Sequence, residues 1–440
     1  MLKILHTGDL HLGKIFYERS LLEDQKHILG QITQELQKEF DANKPYSALV
    51  ITGDIYDRAI APAKAISLLD SFLVSTHTSF PTLAICIISG NHDSAKRMSF
   101  GTRLLESHNI HICTQAKDCT KPVFLYKPAK KEQKTVETLP IAGVLYQLPF
   151  LYPGDFTTPE DAPLYKQSEL VKEGIRLITE QHKKLQKSKP ELNNVPVLLS
   201  AHLTTLPKSI TSNTTTENSD AQIHTAIGSA GYVSPKVFSF FDYVALGHIH
   251  KPLKPASNAE YAGSPLETSF KNTGKNMPPR QKHFLHIHID INAKVGDLFE
   301  QSRLKTVKVP IEPLHPVLRL EGRFSEFEEG TFNAMEKFGF SKEYLKNAYL
   351  EITCTDTILV ENPLARLQTM YPFVMAIHQR ALTSTDDQQH FTQRQELFED
   401  TTNLGKIDNA KLFTAFIADT FSDSSEDEWK EAKKLFLEML

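Results

Sequence analysis

The stretch "LAICIISGNHDSAKR", residues 83–97, decides the fold. Leu83 to Ile88 run as six apolar or small residues without a polar interruption, the pattern of a strand buried on both faces. Ser89 and Gly90 break the run, and Asn91, His92 and Asp93 follow at once. A core strand thus delivers an amide, an imidazole and a carboxylate together at its carboxyl end.

Four other segments end in the same way. "LKILHTGDLH" (2–11) closes on Asp9 and His11, and "SALVITGDIYD" (47–57) on Asp54 and Asp57. "VPVLLSAHLTT" (195–205) reaches His202, and "DYVALGHIH" (242–250) reaches His248 and His250. Between the first three strands lie helical stretches. Residues 17–42 carry Leu21, Leu22, Ile28, Leu29, Ile32 and Leu36 at helical spacing, and residues 62–77 open on Pro62, suited to a first helical turn. Strand, helix, strand, helix, strand implies an α/β fold with parallel strands and crossover helices. Such sheets gather ligands beyond the carboxyl ends of their strands, so the five tips are expected to meet in one site.

Composition narrows the class. A chain of 440 residues exceeds one ordinary core, so two or three domains are expected. A net charge of −4 argues against a protein held to nucleic acid by bulk positive charge, though not against an enzyme that meets phosphates through metal ions or a second subunit. Cys86, Cys113, Cys119 and Cys354 show no CxxC spacing, which favours reduced thiols and a cytoplasmic protein. Asp9 and His11 interrupt the apolar start, so no signal peptide is read, and no apolar run is long enough to span a bilayer.

The tips combine as Asp9, His11, Asp54, Asn91, His92, His202, His248 and His250. Oxygen and imidazole donors without thiolates suit Mn²⁺, Fe or Zn rather than Ca²⁺. Seven or eight donors are too many for one ion and suit two, and a carboxylate can bridge a pair where an imidazole cannot. Paired metals clamp the attacking and leaving oxygens of a phosphoryl displacement, so phosphodiester cleavage is the expected reaction class. A lone DxH or GD carries little information, because Asp and Gly are ordinary turn residues. The informative feature is the full series, each member following a strand.

The order DxH, GD, GNHD, H, GHxH resembles the calcineurin-like metallophosphoesterase superfamily. Within it, "HTGDLHLGK" (6–14), "SAHLTT" (200–205), "ALGHIHKP" (245–252) and "YAGSPLETSF" (261–270) resemble the bacterial SbcD-type nuclease subunits. The likeness is close over about residues 1–290 and looser through "PVLRLEGRF" and "FTQRQELFED". It implies a two-sheet sandwich flanked by helices, with a small α+β capping domain and C-terminal helices. The expected boundaries are 1–300, 305–385 and 386–440. It further implies a two-Mn²⁺ DNA nuclease, acting as double-strand exonuclease and single-strand or hairpin endonuclease on DNA ends. The implied partner is an SbcC-type ATPase, with two copies of the chain in a heterotetramer.

By the same resemblance, Asp9, His11 and His250 hold one metal and Asn91, His202 and His248 the other, with Asp54 bridging both. His92 is expected to protonate the leaving oxygen, and Asp93 to orient His92 through its other ring nitrogen. Leu10 stands where many relatives have Trp, which affects packing beneath the site rather than ligation. Arg58 reads equally as a phosphate contact or as a surface arginine after a turn.

Other features have plainer readings. In "HFLHIHID" (283–290), Leu285, Ile287 and Ile289 alternate with His286 and His288, as in a half-buried strand with a polar outer face rather than a second metal site. The basic stretch 127–134 reads equally as a DNA contact or a solvated loop. The polar stretch 208–220 reads as a loop beside the site. After about residue 305, "HPVLRLEGRF" and "NAYLEITCTD" are strand-like, with helical stretches at 331–338 and 362–371. Beyond residue 390, Leu412, Phe413, Phe416, Ile417 and Phe421 form one apolar stripe, and Trp429, Ala432, Leu435, Phe436 and Met439 another. These stripes either fold back on the capping domain or grip a partner, and the resemblance favours the coiled-coil base of the ATPase. Two functions compete with the nuclease: a metallophosphoesterase for a small phosphodiester, and a DNA-end scaffold whose contacts matter more than its metals.

Overall fold

The apolar segments form strands that stop where their polar tips begin. This computed structural model describes residues 2–128, 135–136, 139–158, 160–207, 231–290, 303–332, 338 and 340–379. Most of the basic stretch 127–134, the segment 208–220, most of the expected helix at 331–338 and the segment 386–440 lie outside the described residues.

In chain order the main strands of the larger unit are β1 (Leu2–Thr7), β2 (Ala48–Ile51), β3 (Ala84–Ile88), β4 (Ile110–Cys113), β5 (Val123–Tyr126), β6 (Ile141–Leu148), β7 (Val197–His202), β8 (Tyr243–Gly247), β9 (Leu253–Ala256), β10 (Ala259–Tyr261), β11 (Lys282–Ile289) and β12 (Leu304–Ile311). They form two six-stranded sheets, ordered β12-β11-β1-β2-β3-β4 and β9-β10-β8-β7-β6-β5. The central strands β1, β2, β3 and β4 pair in parallel, as do β6, β7, β8 and β10. The long helices are α1 (Leu22–Asp41), α2 (Ala63–Ser79) and α3 (Gln167–Ser188). α2 begins directly after Pro62, as its sequence implied. α1 carries Glu23 and Asp24 in its first turn, where the helix dipole favours negative charge.

Three cores stack the layers. Leu2, Ile4, Val50 and Cys86 of the first sheet meet Leu125, Leu145, Leu198 and Tyr243 of the second. Ile28, Leu29, Ile32 and Leu36 of α1 and Leu69 and Phe72 of α2 cover the outer face of the first sheet. Leu170, Val171, Ile175 and Ile178 of α3 cover the second. Each fully buried aliphatic contributes about 1.5–3 kcal/mol of transfer free energy. The result is the expected two-sheet sandwich flanked by helices, with parallel strand ends of both sheets aimed at one edge.

Leu304–Ile311 pairs antiparallel with β11 as the outer strand of the first sheet. The chain therefore enters its smaller unit only after Ile311, later than the expected residue 305. That unit is a parallel sheet of β13 (Val317–Gly322), β14 (Tyr349–Cys354) and β15 (Val374–Gln379) with short helices at Phe324–Glu329, Lys342–Lys346 and Pro363–Gln368. Leu318, Leu320, Phe327, Leu350, Ile352 and Leu367 form its own core. It seats on the sandwich through Phe16, Leu21, Phe270, Val317 and Tyr349. Among the described residues no helix is long and apolar enough to cross a membrane.

β11 alternates as expected on one side only. Leu285, Ile287 and Ile289 pack between the sheets. His286, by contrast, is buried: its ring lies 4.9 Å from that of Tyr46 and 4.1 Å from that of His288. Glu35, Glu39 and His286 bring donor atoms within 4.8 Å of one another, a cluster resembling a cation site. The Lys3 ammonium already fills that role, bonded to Glu39 and to Lys44 O at 2.7 Å, and standing over the Tyr46 ring at 4.5 Å.

His6 is fully buried, with Nδ1 2.9 Å from the Tyr243 hydroxyl, and burial lowers its pKa to about 3. The unfolded chain takes up a proton near pH 6.5 that the folded chain refuses, so stability is full above that pH and falls as pH drops toward 3. This one group should cost about 2 kcal/mol at pH 5 relative to pH 7. The drop in urea midpoint between these pH values should therefore shrink in His6→Gln; a wild-type drop in that variant would assign the effect elsewhere.

Candidate active site

The carboxyl ends of β1, β2, β3, β7 and β8 converge so closely that two positions tolerate no side chain. A Cβ on Gly247 would lie 1.9 Å from Thr52 O, and one on Gly90 would lie 2.1 Å from Asp54 Oδ1. The loops after β1 and β2 run side by side, with Asp9 N–H donating to Gly53 O at 3.0 Å and His11 N–H to Asp54 O at 2.9 Å. Asp9, His11, Asp54 and His248 all hold positive φ, at 51°, 46°, 47° and 104°. Four non-glycine residues in that region signal backbone strain concentrated where the side chains converge.

Two donor groups share Asp54, and a third joins His11, Asp57 and His92. Asp9, His11, Asp54 and His250 bring ligand-type atoms within 4.8 Å of one another, as do Asp54, His202 and His248. Asn91 Oδ1 completes the second, 3.1 Å from His202 Nε2 and 3.0 Å from His248 Nδ1. Asp54 stands between them, its Oδ2 3.7 Å from His11 Nε2 and 3.5 Å from His202 Nε2. All seven residues expected as ligands are thus brought together, with His11 and His250 meeting from 239 positions apart in the chain.

The electrostatics call for added positive charge. Burial pushes the Asp9 carboxyl up to about 7, with neighbouring Asp54 adding to the shift. Burial acts on Asp54 too, but His202 and His11 outweigh it and hold that carboxyl well below the usual range. Burial opposes the charged form of His202, yet Asp54 raises it to about 9. Burial holds His11 and His248 neutral, with pKa lowered to about 3. His11 Nε2 and His250 Nε2 face each other at 3.0 Å, where one proton or a cation must intervene. Buried carboxylates and converging imidazole lone pairs, without thiolates, fit divalent ions of intermediate hardness. His202 supports the fit: its Nδ1–H donates to Thr52 O at 2.7 Å, which turns Nε2 inward toward Asp54.

His92 stands apart. It is exposed, its ring lies 4.9 Å from that of His11 at 90°, and its Nδ1 meets Asp57 O at 2.9 Å. The expected orienting contact from Asp93 is therefore corrected. The Asp93 carboxylate accepts from the backbone N–H of Gly90 at 2.8 Å, Ile55 at 3.0 Å and Tyr56 at 2.9 Å. Those three donors engage both carboxylate oxygens, so Asp93 ties the loop after β3 to the loop after β2, and the Asp57 carbonyl takes the imidazole.

The expected donor set left out several neighbours. The Asp57 carboxylate receives Lys14 Nζ at 2.8 Å and lies 3.6 Å from His11 Nδ1. Phe150 stacks on His248 with ring centroids 6.2 Å apart, and Tyr152 donates its hydroxyl to Asn91 O at 3.4 Å. Asp57, three residues after Asp54, was visible in "GDIYD"; the two aromatic residues follow β6 with no metal-type spacing to mark them.

Comparison with known proteins agrees with this geometry. A family model described as calcineurin-like phosphoesterase matches residues 2–252, and one described as the type 5 capsule protein repressor C-terminal domain matches residues 313–421. A relative in Staphylococcus epidermidis, named as the SbcD component of the SbcCD nuclease, is 29% identical over 380 residues, covering 86% of this chain and 85% of the relative. Its namesake in Staphylococcus saprophyticus is 26% identical over 379 residues, covering 86% and 84%.

Gly90→Ala should displace Asp54 and lower the chain's content of divalent metal while the circular dichroism spectrum stays that of a folded chain. Full metal content, measured by elemental analysis, would show that the close approach at Gly90 is not needed to hold Asp54 in place.

Proposed function

The chain belongs to the calcineurin-like phosphoesterase family, and from that premise we propose that it is the nuclease subunit of an SbcCD-type complex. Its reaction is hydrolysis of DNA phosphodiester bonds, as a double-strand exonuclease and a single-strand or hairpin endonuclease at DNA ends. The observation that carries this reading is the pair of donor groups sharing Asp54. Asp9, His11 and His250 would hold one divalent ion, Asn91, His202 and His248 the other, and Asp54 both. Mn²⁺ suits the mixed carboxylate, amide and imidazole set. When bound, two such ions supply positive charge to the phosphoryl oxygens and acidify the attacking water.

The remaining work falls to the chain's own groups. His92 donates its Nδ1–H to the Asp57 carbonyl, which fixes the ring and leaves Nε2 facing away from that bond. In the imidazolium form, Nε2–H gives its proton to the leaving oxygen as the P–O bond breaks, while the attacking water bonds to phosphorus and releases a proton to bulk solvent. The ring's exposure suits a polymeric substrate that must reach it from outside. Asp93 plays a positioning part by holding the Gly90 and Ile55 amides together. Phe150 and Tyr152 wall the site beside His248 and Asn91.

The same reading extends to partners. A chain of net charge −4 gains little from bulk attraction to DNA, which suits a subunit that works with an SbcC-type ATPase. Phe100 and Leu104, 91% and 76% exposed, follow the Asn91–Asp93 tip and suit a contact between two copies of the chain. All four cysteines are free and buried, which suits a reducing, cytoplasmic setting.

His92→Gln should lower DNA cleavage by about 10²–10⁴-fold with two Mn²⁺ still bound per chain. Loss of an ion with the imidazole would make His92 a ligand and overturn its assigned role. A second experiment separates substrate classes. Protein with Mn²⁺ and its ATPase partner should cut linear and hairpin DNA; turnover of bis-p-nitrophenyl phosphate with DNA left intact would favour a small-phosphodiester hydrolase.

A further inference from the structure

Two consecutive residues in the first turn of α1 reach in different directions. Gln25, 2% exposed, grips the loop that carries His11. Its Oε1 accepts Gly13 N–H at 2.9 Å, and its Nε2 donates to His11 O at 2.5 Å and to Leu10 O at 3.4 Å. Asp24, 1% exposed, grips the smaller unit. Its Oδ1 lies 2.9 Å from His315 Nδ1, and its Oδ2 accepts the Tyr349 hydroxyl at 2.8 Å. His315 lies in the connection between the two units, and Tyr349 opens β14.

The surroundings reinforce this link. The two-residue strands Ile15–Phe16 and Arg19–Ser20 form a hairpin between the His11 loop and α1. Phe16 places its ring 5.9 Å from that of Tyr349, and the Arg19 guanidinium lies 4.5 Å from the Phe373 ring centre. His315 packs against Tyr349 at 4.8 Å and Phe373 at 4.6 Å. At its other end the hairpin region meets the site, because Lys14 bonds Asp57 and Asp57 O bonds His92. Gln25 N–H donates to Leu21 O at 2.9 Å, so the helical turn moves as one piece. A shift at Asp24 is therefore carried to Gln25 and on to the His11 backbone.

The geometry points to Gln25 as a positioning residue for His11, and to Asp24 as the coupling that makes this position depend on how the smaller unit is seated. The inference rests on the two-ion reading above and deepens it: the two ions are not equivalent. In the donor set containing His11, that residue is held through α1 and the smaller unit, whereas Asp9 and His250 are tied within the sandwich by Ser264. The set of Asn91, His202 and His248 is held within the sandwich, by Thr52 and by Asn91 Oδ1. Displacing the smaller unit loosens the first ion and spares the second. A partner that moves this unit therefore controls one metal rather than the whole site.

The test is Mn²⁺ binding by the full chain, followed by calorimetry and by electron paramagnetic resonance, which separates spin-coupled pairs from single ions. Wild type should bind two Mn²⁺ as a coupled pair. Gln25→Leu should weaken one site about 10–100-fold, leave the other within about twofold, and replace the coupled signal with that of a single ion. His315→Phe keeps the aromatic packing but removes the bond to Asp24, so it should weaken the same site. The double variant should lose little more than Gln25→Leu alone, because both act on one path. If wild type binds two ions and Gln25→Leu binds both as wild type does, or loses both equally, the positioning role is overturned while the two-ion reading stands. An unchanged first site in His315→Phe overturns the coupling. A wild-type chain that binds fewer than two ions overturns the two-ion reading and this inference with it.

Discussion

Asp54 is 1% exposed at the meeting point of two sheets, with a second carboxylate, Asp9, equally buried beside it. Removing two carboxylates from water costs several kcal/mol each unless opposite charge and hydrogen bonds replace the lost hydration. The backbone supplies part of that replacement: His92 N–H donates to Asp54 Oδ1 at 3.0 Å, and His248 N–H to Asp9 Oδ1 at 2.9 Å. Converging imidazoles supply more, and protonated His202 is the clearest case. The polypeptide alone leaves Asp9 with an elevated affinity for protons, the signature of a site that lacks positive charge. Strand lengths, tip glycines and strained loops are all consistent with the demand of packing these two acids together.

That demand explains why the loops are tied to each other more than to the solvent. Asp93 collects three backbone amides and thereby fixes the path of two loops at once. Ser264 does similar work from the second sheet, donating its hydroxyl to Asp9 O at 3.0 Å while its N–H donates to His250 O at 3.0 Å. Tyr261 donates its buried hydroxyl to Leu203 O and accepts Thr205 N–H, both at 2.8 Å, which holds the turn after His202. None of these side chains is among the seven expected donors. They set the backbone from which the donor groups project.

Much of this was legible in the sequence for a simple reason. A parallel strand buried on both faces must be continuously apolar, so a polar cluster at its end stands out and cannot be mistaken for an alternating surface. The five tips, and the eight candidate residues on them, could be read from that contrast; setting His92 apart from the other seven came from the family resemblance. The hydrogen bond that orients His92 could not, because its acceptor is a backbone carbonyl and any residue supplies one. The burial of His286 was hidden because alternation reports two faces of a strand but not what covers the second. Leu304–Ile311, "LKTVKVPI", reads as an ordinary edge strand, and nothing in it says which sheet it joins. Val374–Gln379 is only partly buried and lacks a clean period, so the third strand of the smaller unit carried no signal.

The division of donors between the sheets has a consequence for how the molecule is made. Asp9, His11, Asp54 and Asn91 come from the first sheet, and His202, His248 and His250 from the second. Each donor group that includes Asp54 draws on both. A nascent chain that ends before residue 197 holds Asp9, His11, Asp54 and Asn91 without His202, His248 and His250, and so lacks three of the seven donors. Ion capture then acts as a late clasp on synthesis, closing after the second sheet docks and adding about 2.7 kcal/mol of stability when free ion stands a hundredfold above its dissociation constant.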